Sequence, residues 1–252
     1  PDAKSAAAFV SKATQDKENV DFAEYNSRIL LDTPQNTDIR RDVQPLTNDP
    51  DWDKQHAFAS MQLDGIYDFM RSHPPRKRAK LAIIDTGVDG EHEDLSDVFN
   101  NAGGSGDNHG HGTHCAGIAA ANTDNEKGIA SLNYKGRFIA VMNFAGLNEN
   151  GQGSVETIAQ AIIDATRADA DVISLSLGSY SPTPPRAELL AIQYARQNGV
   201  IVVAAAGNAN SSAKSQSPAN IAGVISVAAT DGELSKARFS NTNAELTWPL
   251  SA

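Results

Sequence analysis

The chain has 252 residues, 40% of them hydrophobic and 21% charged, with a formal net charge of −10 and one cysteine. That accommodates one sizeable α/β domain plus an appendage, and a single cysteine excludes an intramolecular disulfide framework. The acidic balance, with no basic stripe interleaved with aromatics, argues against a nucleic-acid partner, and no apolar run approaches membrane-spanning length.

Residues 1–44 are polar, hold few strong core segments and are set apart from residues 45–252. Residues 19–31 include a partly alternating stretch with strand character, and Thr33-Pro34 through Pro45 reads as a linker. Asp64–Ser72 is expected to form a helix ended by His73-Pro74-Pro75. The following Arg76-Lys77-Arg78 is a solvated loop or a protease-sensitive site.

From Lys80 onward, strand and helix patterns alternate. Leu81–Ile84 predicts a buried strand, Gly112–Ala121 a helix rich in Ala and Gly, and Arg137–Asn143 another strand. Ser154–Ala168 places Val155, Ile158, Ala159, Ile162, Ile163 and Thr166 at helical spacing, with Ser154 as N-cap and Glu156 in the first turn. Asp171–Leu177 predicts a strand, and Ala187–Gln197 a helix stopped at Asn198-Gly199. Val200–Ala205 and Val224–Ala229 predict two more strands. Short apolar strands separated by helices imply right-handed crossovers, hence an α/β fold whose parallel sheet is covered on both faces. Ligands of such sheets bind beyond the carboxyl ends of the strands. Asp85 and Asn208 both fall there.

Taken singly, these residues allow several chemistries. A strand-end carboxylate such as Asp85 also suits ribose binding or phosphoacceptance, and an Asn after Gly207 is an ordinary turn former. His109, His111 and His114 invite a zinc reading, but spacings of two and three with glycines between do not put all three on one helix face. No phosphate-cradling Gly-rich loop follows the first strand, which argues against a nucleotide-binding protein.

Three segments taken together narrow the choice. Ile83-Ile84-Asp85-Thr86-Gly87-Val88-Asp89, His111-Gly112-Thr113-His114-Cys115-Ala116-Gly117 and Val202-Val203-Ala204-Ala205-Ala206-Gly207-Asn208, in that order, resemble the subtilisin-like serine peptidases, or subtilases. The resemblance implies Asp85 as the carboxylate orienting a catalytic imidazole and His111 as the general base. It implies Asn208 as the side-chain donor of an oxyanion hole. Cys115 lies four positions after His111, as in the proteinase K-like branch, and is expected to pack beside the site as a small hydrophobe.

The resemblance also implies that Gly151-Gln152-Gly153 and Ser176-Leu177-Gly178 flank an extended polypeptide substrate, which joins them as an added strand. Ala205-Ala206-Gly207 would form one wall of the main specificity pocket. Asp94 matches a calcium ligand of the family, and an ordinary polar turn is the other reading of that residue. Residues 19–31 resemble the last strand of an inhibitory propeptide, the protein's own partner, with cleavage expected in 32–47; an N-terminal extension packed on the domain is the alternative. The family further implies a secreted protein.

The family's nucleophile segment, of Gly-Thr-Ser-Met-Ala type, does not occur in these 252 residues. The nucleophilic serine is therefore expected beyond Ala252 in a longer parent protein, with 1–252 alone lacking normal turnover. The competing reading is a nonhydrolytic relative that binds peptides or a regulatory partner.

Overall fold

Strands that are apolar on alternate positions of both faces can be buried only between two layers of helices, and that determines the architecture. In chain order the elements of the computed structural model are α1 (Ala3–Gln15), β1 (Arg28–Leu31), the first of two 3-10 turns (Trp52–Lys54, the other being Ala213–Ser215) and α2 (Asp64–Ser72). Next come β2 (Ala79–Asp85), β3 (Phe99–Asn100), α3 (His111–Ala120), β4 (Ile139–Ala145), β5 (Gln152–Ser154) and α4 (Val155–Arg167). The chain continues through β6 (Val172–Leu175), β7 (Leu177–Tyr180), α5 (Arg186–Gln197), β8 (Ile201–Ala205), β9 (Gln216–Ser217) and β10 (Ile225–Val227). The structure describes residues 3–15, 24, 27–31, 47–55, 57–58 and 64–242. The linker from Thr33 to Pro45, the expected cleavage span other than Thr47, and residues 243–252 lie outside the described residues.

The central sheet is parallel and six-stranded, in the order β10-β8-β6-β2-β4-β3. Along β2 the side chains alternate between layers. Ala82 and Ile84 join Met142, Ile158, Ile162, Ile173 and Ile192 under α4 and α5, whereas Ile83 joins Val141, Ala116 and Ala120 under α3. Each fully buried Ile contributes about 1.5–3 kcal/mol of transfer free energy. A third cluster of Trp52, Phe58, Tyr67, Ala130 and Tyr134 fixes α2 to the loop after α3. The α/β fold with helices on both faces is as expected.

The local reasons are legible. Ser154 caps α4 in a reciprocal box with Thr157, Glu156 lies in the first turn and Arg167 in the last. α2 ends where His73-Pro74-Pro75 cannot continue it. The expected strand at Asp171–Leu177 is divided: Val172–Leu175 stays in the parallel sheet, and Leu177–Tyr180 leaves it.

β7 enters a second, antiparallel sheet in the order β5-β1-β7-β9. β1 is one of its two interior strands, with Ile29 opposite Gly153 and Leu30 opposite both Gln152 and Gly178. The strand character of residues 19–31 is thus realised at 28–31 and, among the rest of that span, only residues 24 and 27 are described. Helix α1 falls within the leading region whose polar composition and few core segments predict no element there.

Candidate active site

Asp85 ends β2 at the carboxyl edge of the parallel sheet, and His111 opens α3 beside it. The His111 Nδ1 and Asp85 Oδ1 atoms are 2.8 Å apart, with both side chains buried. An Nδ1–H donating to the carboxylate leaves the lone pair on Nε2, so the contact selects the tautomer able to accept a proton. The Thr86 N–H also donates to Asp85 Oδ1, at 2.7 Å. Burial works against charge on the imidazole, but the hydrogen bonds and charges of Asp85 and Cys115 outweigh it and raise the His111 pKa.

The backbone around His111 is set by a residue that sequence reasoning passed over. Asp107 accepts N–H bonds from His109, Gly110 and Thr113, and hydroxyl bonds from Thr86 and Thr113. Asp107 thus satisfies the otherwise orphan amides of Gly110 and Thr113 at the start of α3, and the four bonds from Gly110, Thr113 and Thr86 outweigh burial to lower its pKa. The Gly112 N–H in turn donates to Thr86 Oγ1 at 3.1 Å. The only sequence signal was a carboxylate four positions before His111.

Gly112 lets helix and strand come this close. A Cβ there would lie 2.1 Å from the Gly87 carbonyl oxygen and 3.0 Å from Asp85 Cβ. Cys115 occupies the next turn of α3, with its Sγ 3.8 Å from His111 Nδ1. His109 and His114 are exposed and do not converge with His111 on a metal site.

Asn208 follows β8 and lines a cavity of about 290 Å³ together with Ser176, Ala205, Ala206, Gly207, Ala228 and Phe239. The structure therefore brings Ser176, one expected edge residue, to the expected pocket wall. Asn241 shapes the loop: its Oδ1 accepts from the Ala209 and Ser211 N–H groups, and its Nδ2 donates to the Ala206 carbonyl. Gly207 has φ +98°, a left-handed conformation, and a Cβ there would meet Asn241 Nδ2 at 2.5 Å.

Gln152 and Gly153 in β5, and Leu177 and Gly178 in β7, stand on opposite sides of β1. Gly151 precedes β5 in the turn closed by its N–H to the Asn148 carbonyl. The two expected substrate edges are thus joined by a segment of this same chain.

Asp94 is buried, and both oxygens are engaged: Oδ1 by the Asn125 side-chain amide at 3.0 Å, Oδ2 by the Ile129 N–H at 2.9 Å. Burial raises its pKa despite these bonds. Among serines, Ser154 has a strand-to-helix setting, but its hydroxyl is committed to capping Thr157. Among the described residues, no serine hydroxyl is hydrogen-bonded to His111.

This carboxylate–imidazole pair, at the carboxyl edge of a parallel sheet, accompanies a clear family match. Residues 76–252 match the peptidase S8 subtilase family, and the chain belongs to it. It is 41% identical over 169 residues to thermitase of Thermoactinomyces vulgaris, covering 64% of this chain and 58% of that protein. It is 43% identical over 169 residues to a thermophilic serine proteinase of Bacillus sp. strain AK1, covering 64% of this chain and 41% of the relative. The chain thus spans about half the length of these relatives. Among solved structures, it resembles a protease of Pseudoalteromonas arctica PAMC 21717 with a TM-score of 0.67 and 28% identity, covering 78% of this chain and 69% of that one. Among the described residues, no helix is long and apolar enough to cross a membrane.

Proposed function

We propose that the protein is a serine endopeptidase in which His111 is the general base, Asp85 orients it, and Asn208 donates to the oxyanion of the tetrahedral intermediate. The nucleophilic serine lies outside residues 1–252. The observation that carries this reading is the 2.8 Å bond between His111 Nδ1 and Asp85 Oδ1, made at the carboxyl end of β2. The base takes the serine proton during attack and returns it to the leaving amine.

The substrate class is an extended polypeptide. Residues 28–31 support this reading by their main-chain pairing with β5 and β7, with Ile29 buried and Leu30 exposed. In this proposal the segment belongs to an inhibitory propeptide, residues 1–44, removed by cleavage within 32–47, and the mature protein is secreted. Calcium is proposed as a structural ion: Asp94 is the side chain that would hold it, and its charge would offset the burial of that carboxylate.

The test is peptide hydrolysis by the full-length protein and its folded His111→Ala variant. Turnover is expected to fall by several orders of magnitude. A folded variant with undiminished hydrolysis would remove His111 from the chemistry. Mass spectrometry of the active form should show a new N-terminus within 32–47, and an active protein retaining Pro1 would count against processing.

A further inference from the structure

We infer that Asp107 is a positioning residue that locks the Asp85–His111 pair in register, acting through the hydroxyls of Thr86 and Thr113. The members of that pair come from separate elements, Asp85 from the end of β2 and His111 from the start of α3. Their 2.8 Å bond therefore depends on how rigidly strand end and helix start are joined.

The joint is reciprocal. Thr86, next to Asp85, donates its hydroxyl to Asp107 Oδ1 at 2.9 Å and accepts the Gly112 N–H of α3 at 3.1 Å. Thr113, on α3, donates its hydroxyl to Asp107 Oδ2 at 2.7 Å and accepts the Asp89 N–H, from the segment after β2, at 3.0 Å. Each threonine thus takes an amide from the opposite side of the joint and gives its own hydrogen to the same carboxylate.

Asp107 sets the direction of both chains. Burial alone would raise its pKa, but the bonds from Gly110, Thr113 and Thr86 lower it. An ionised carboxylate only accepts, so both hydroxyls must turn their hydrogens toward it and their lone pairs toward Gly112 and Asp89. Hydrogen bonds aligned in this sense reinforce one another. Thr86 completes the connection to the reacting groups, because its N–H donates to Asp85 Oδ1, the oxygen that meets His111. Releasing Thr86 would shift that carboxylate, and releasing Gly112 would shift the residue beside His111. The effect on hydrolysis rests on the reading of His111 as the base; the hold on the pair does not.

The test is made on the full-length protein. Thr86→Val and Thr113→Val keep the side-chain shape and remove one hydroxyl each, whereas Asp107→Asn keeps the size but turns a donor toward donors. Thr86→Ser and Thr113→Ser keep the hydroxyl, lose only a methyl and serve as rescue variants. NMR of the His111 ring supplies a readout independent of activity. The Nδ1–H resonance is expected to move upfield and exchange faster in the valine and asparagine variants. The His111 pKa should fall by about one unit, a tenfold weaker hold on the charged imidazole. The expected loss in kcat is roughly 10–100-fold, the scale of a small misplacement of a reacting group, with KM nearly unchanged. The serine variants should recover most of each. Should Asp107→Asn misfold, the valine variants decide. An unchanged His111 pKa and Nδ1–H resonance in the folded variants overturns the proposal, whatever happens to kcat. A shifted pKa with undiminished hydrolysis upholds the hold on the pair and removes His111 from the chemistry.

Discussion

The carboxylate of Glu24 accepts the backbone N–H of Ala187 at 2.9 Å and, with its other oxygen, that of Arg186. α5 begins after Pro185, whose side chain cannot cap it, so two of its orphan amides are closed by a residue far earlier in the chain. The negative charge also lies at the favourable end of the helix dipole. Together with the two-sided pairing of β1, this ties the N-terminal segment to both flanks of the candidate cleft.

Removing the cap should loosen the segment without unfolding the domain. Glu24→Ala is expected to cost about 1 kcal/mol, the usual worth of a lost N-cap. Glu24→Gln, which keeps an acceptor but removes the charge, should cost less. Hydrogen exchange resolved at Ala187 and Leu30 checks both, with faster exchange expected at each in Glu24→Ala. Equal protection in wild type and Glu24→Ala would show that the cap contributes nothing to docking.

Gly112→Ala should damage the site through backbone geometry. The new Cβ would meet the Gly87 carbonyl at 2.1 Å and could be relieved only by moving α3 away from β2. That movement lengthens the His111–Asp85 bond. A destabilisation of roughly 1–3 kcal/mol is expected, as for overpacking in a tight interior, with a larger relative loss of hydrolysis. A variant with wild-type stability and turnover would show that this close approach is not required.

The parallel sheet and its helices were legible because each element carries its own signal. β2 is a run of apolar residues ending at a carboxylate, and α4 has a capped, 3.6-periodic stripe. Asp85 and His111 were legible because each opens or closes such an element. The rest depended on contacts between distant segments. β1 gains its place by pairing with β5 and β7, more than 100 residues on, a register that no local pattern encodes. The division at Ser176 was hidden because Asp171–Leu177 is apolar enough to read as one strand. Asp107 and Asn241 act by collecting backbone donors from loops, and polar residues of that kind look like ordinary turn formers in a sequence.

Asn241→Ala tests that kind of positioning directly. It leaves the Ala209 and Ser211 amides and the Ala206 carbonyl without their partner. Each buried group left unpaired costs about 1–3 kcal/mol, with solvent relieving part of the sum. Because Asn208 sits within this loop, the variant should lower kcat more than it raises KM. A change confined to KM would argue that the loop shapes the binding pocket but does not position the oxyanion donor.

Glu188 sets the final prediction, a stability that depends on pH. It is fully buried on α5, its Oε2 accepts from the Ser217 hydroxyl at 2.6 Å, and its Oε1 has no partner. Burial, opposed by the Ser217 bond and reinforced by the nearby Glu24, raises its pKa from 4.5 to about 7. Between those values the folded protein binds a proton that the unfolded chain has released. The stabilisation is therefore complete below about pH 4.5, declines as pH rises and is lost above about 7, amounting to roughly 3 kcal/mol. Other carboxylates titrate over the lower part of this range, so the comparison must be between variants. Thermal unfolding of wild type and Glu188→Gln from pH 5 to 8 should show a steeper fall in Tm for the wild type. The amide introduces a buried donor of its own, which makes the slope, and not the absolute Tm, the diagnostic quantity. Parallel curves would place the ionisation of Glu188 near its unfolded value and exclude it as a source of pH sensitivity.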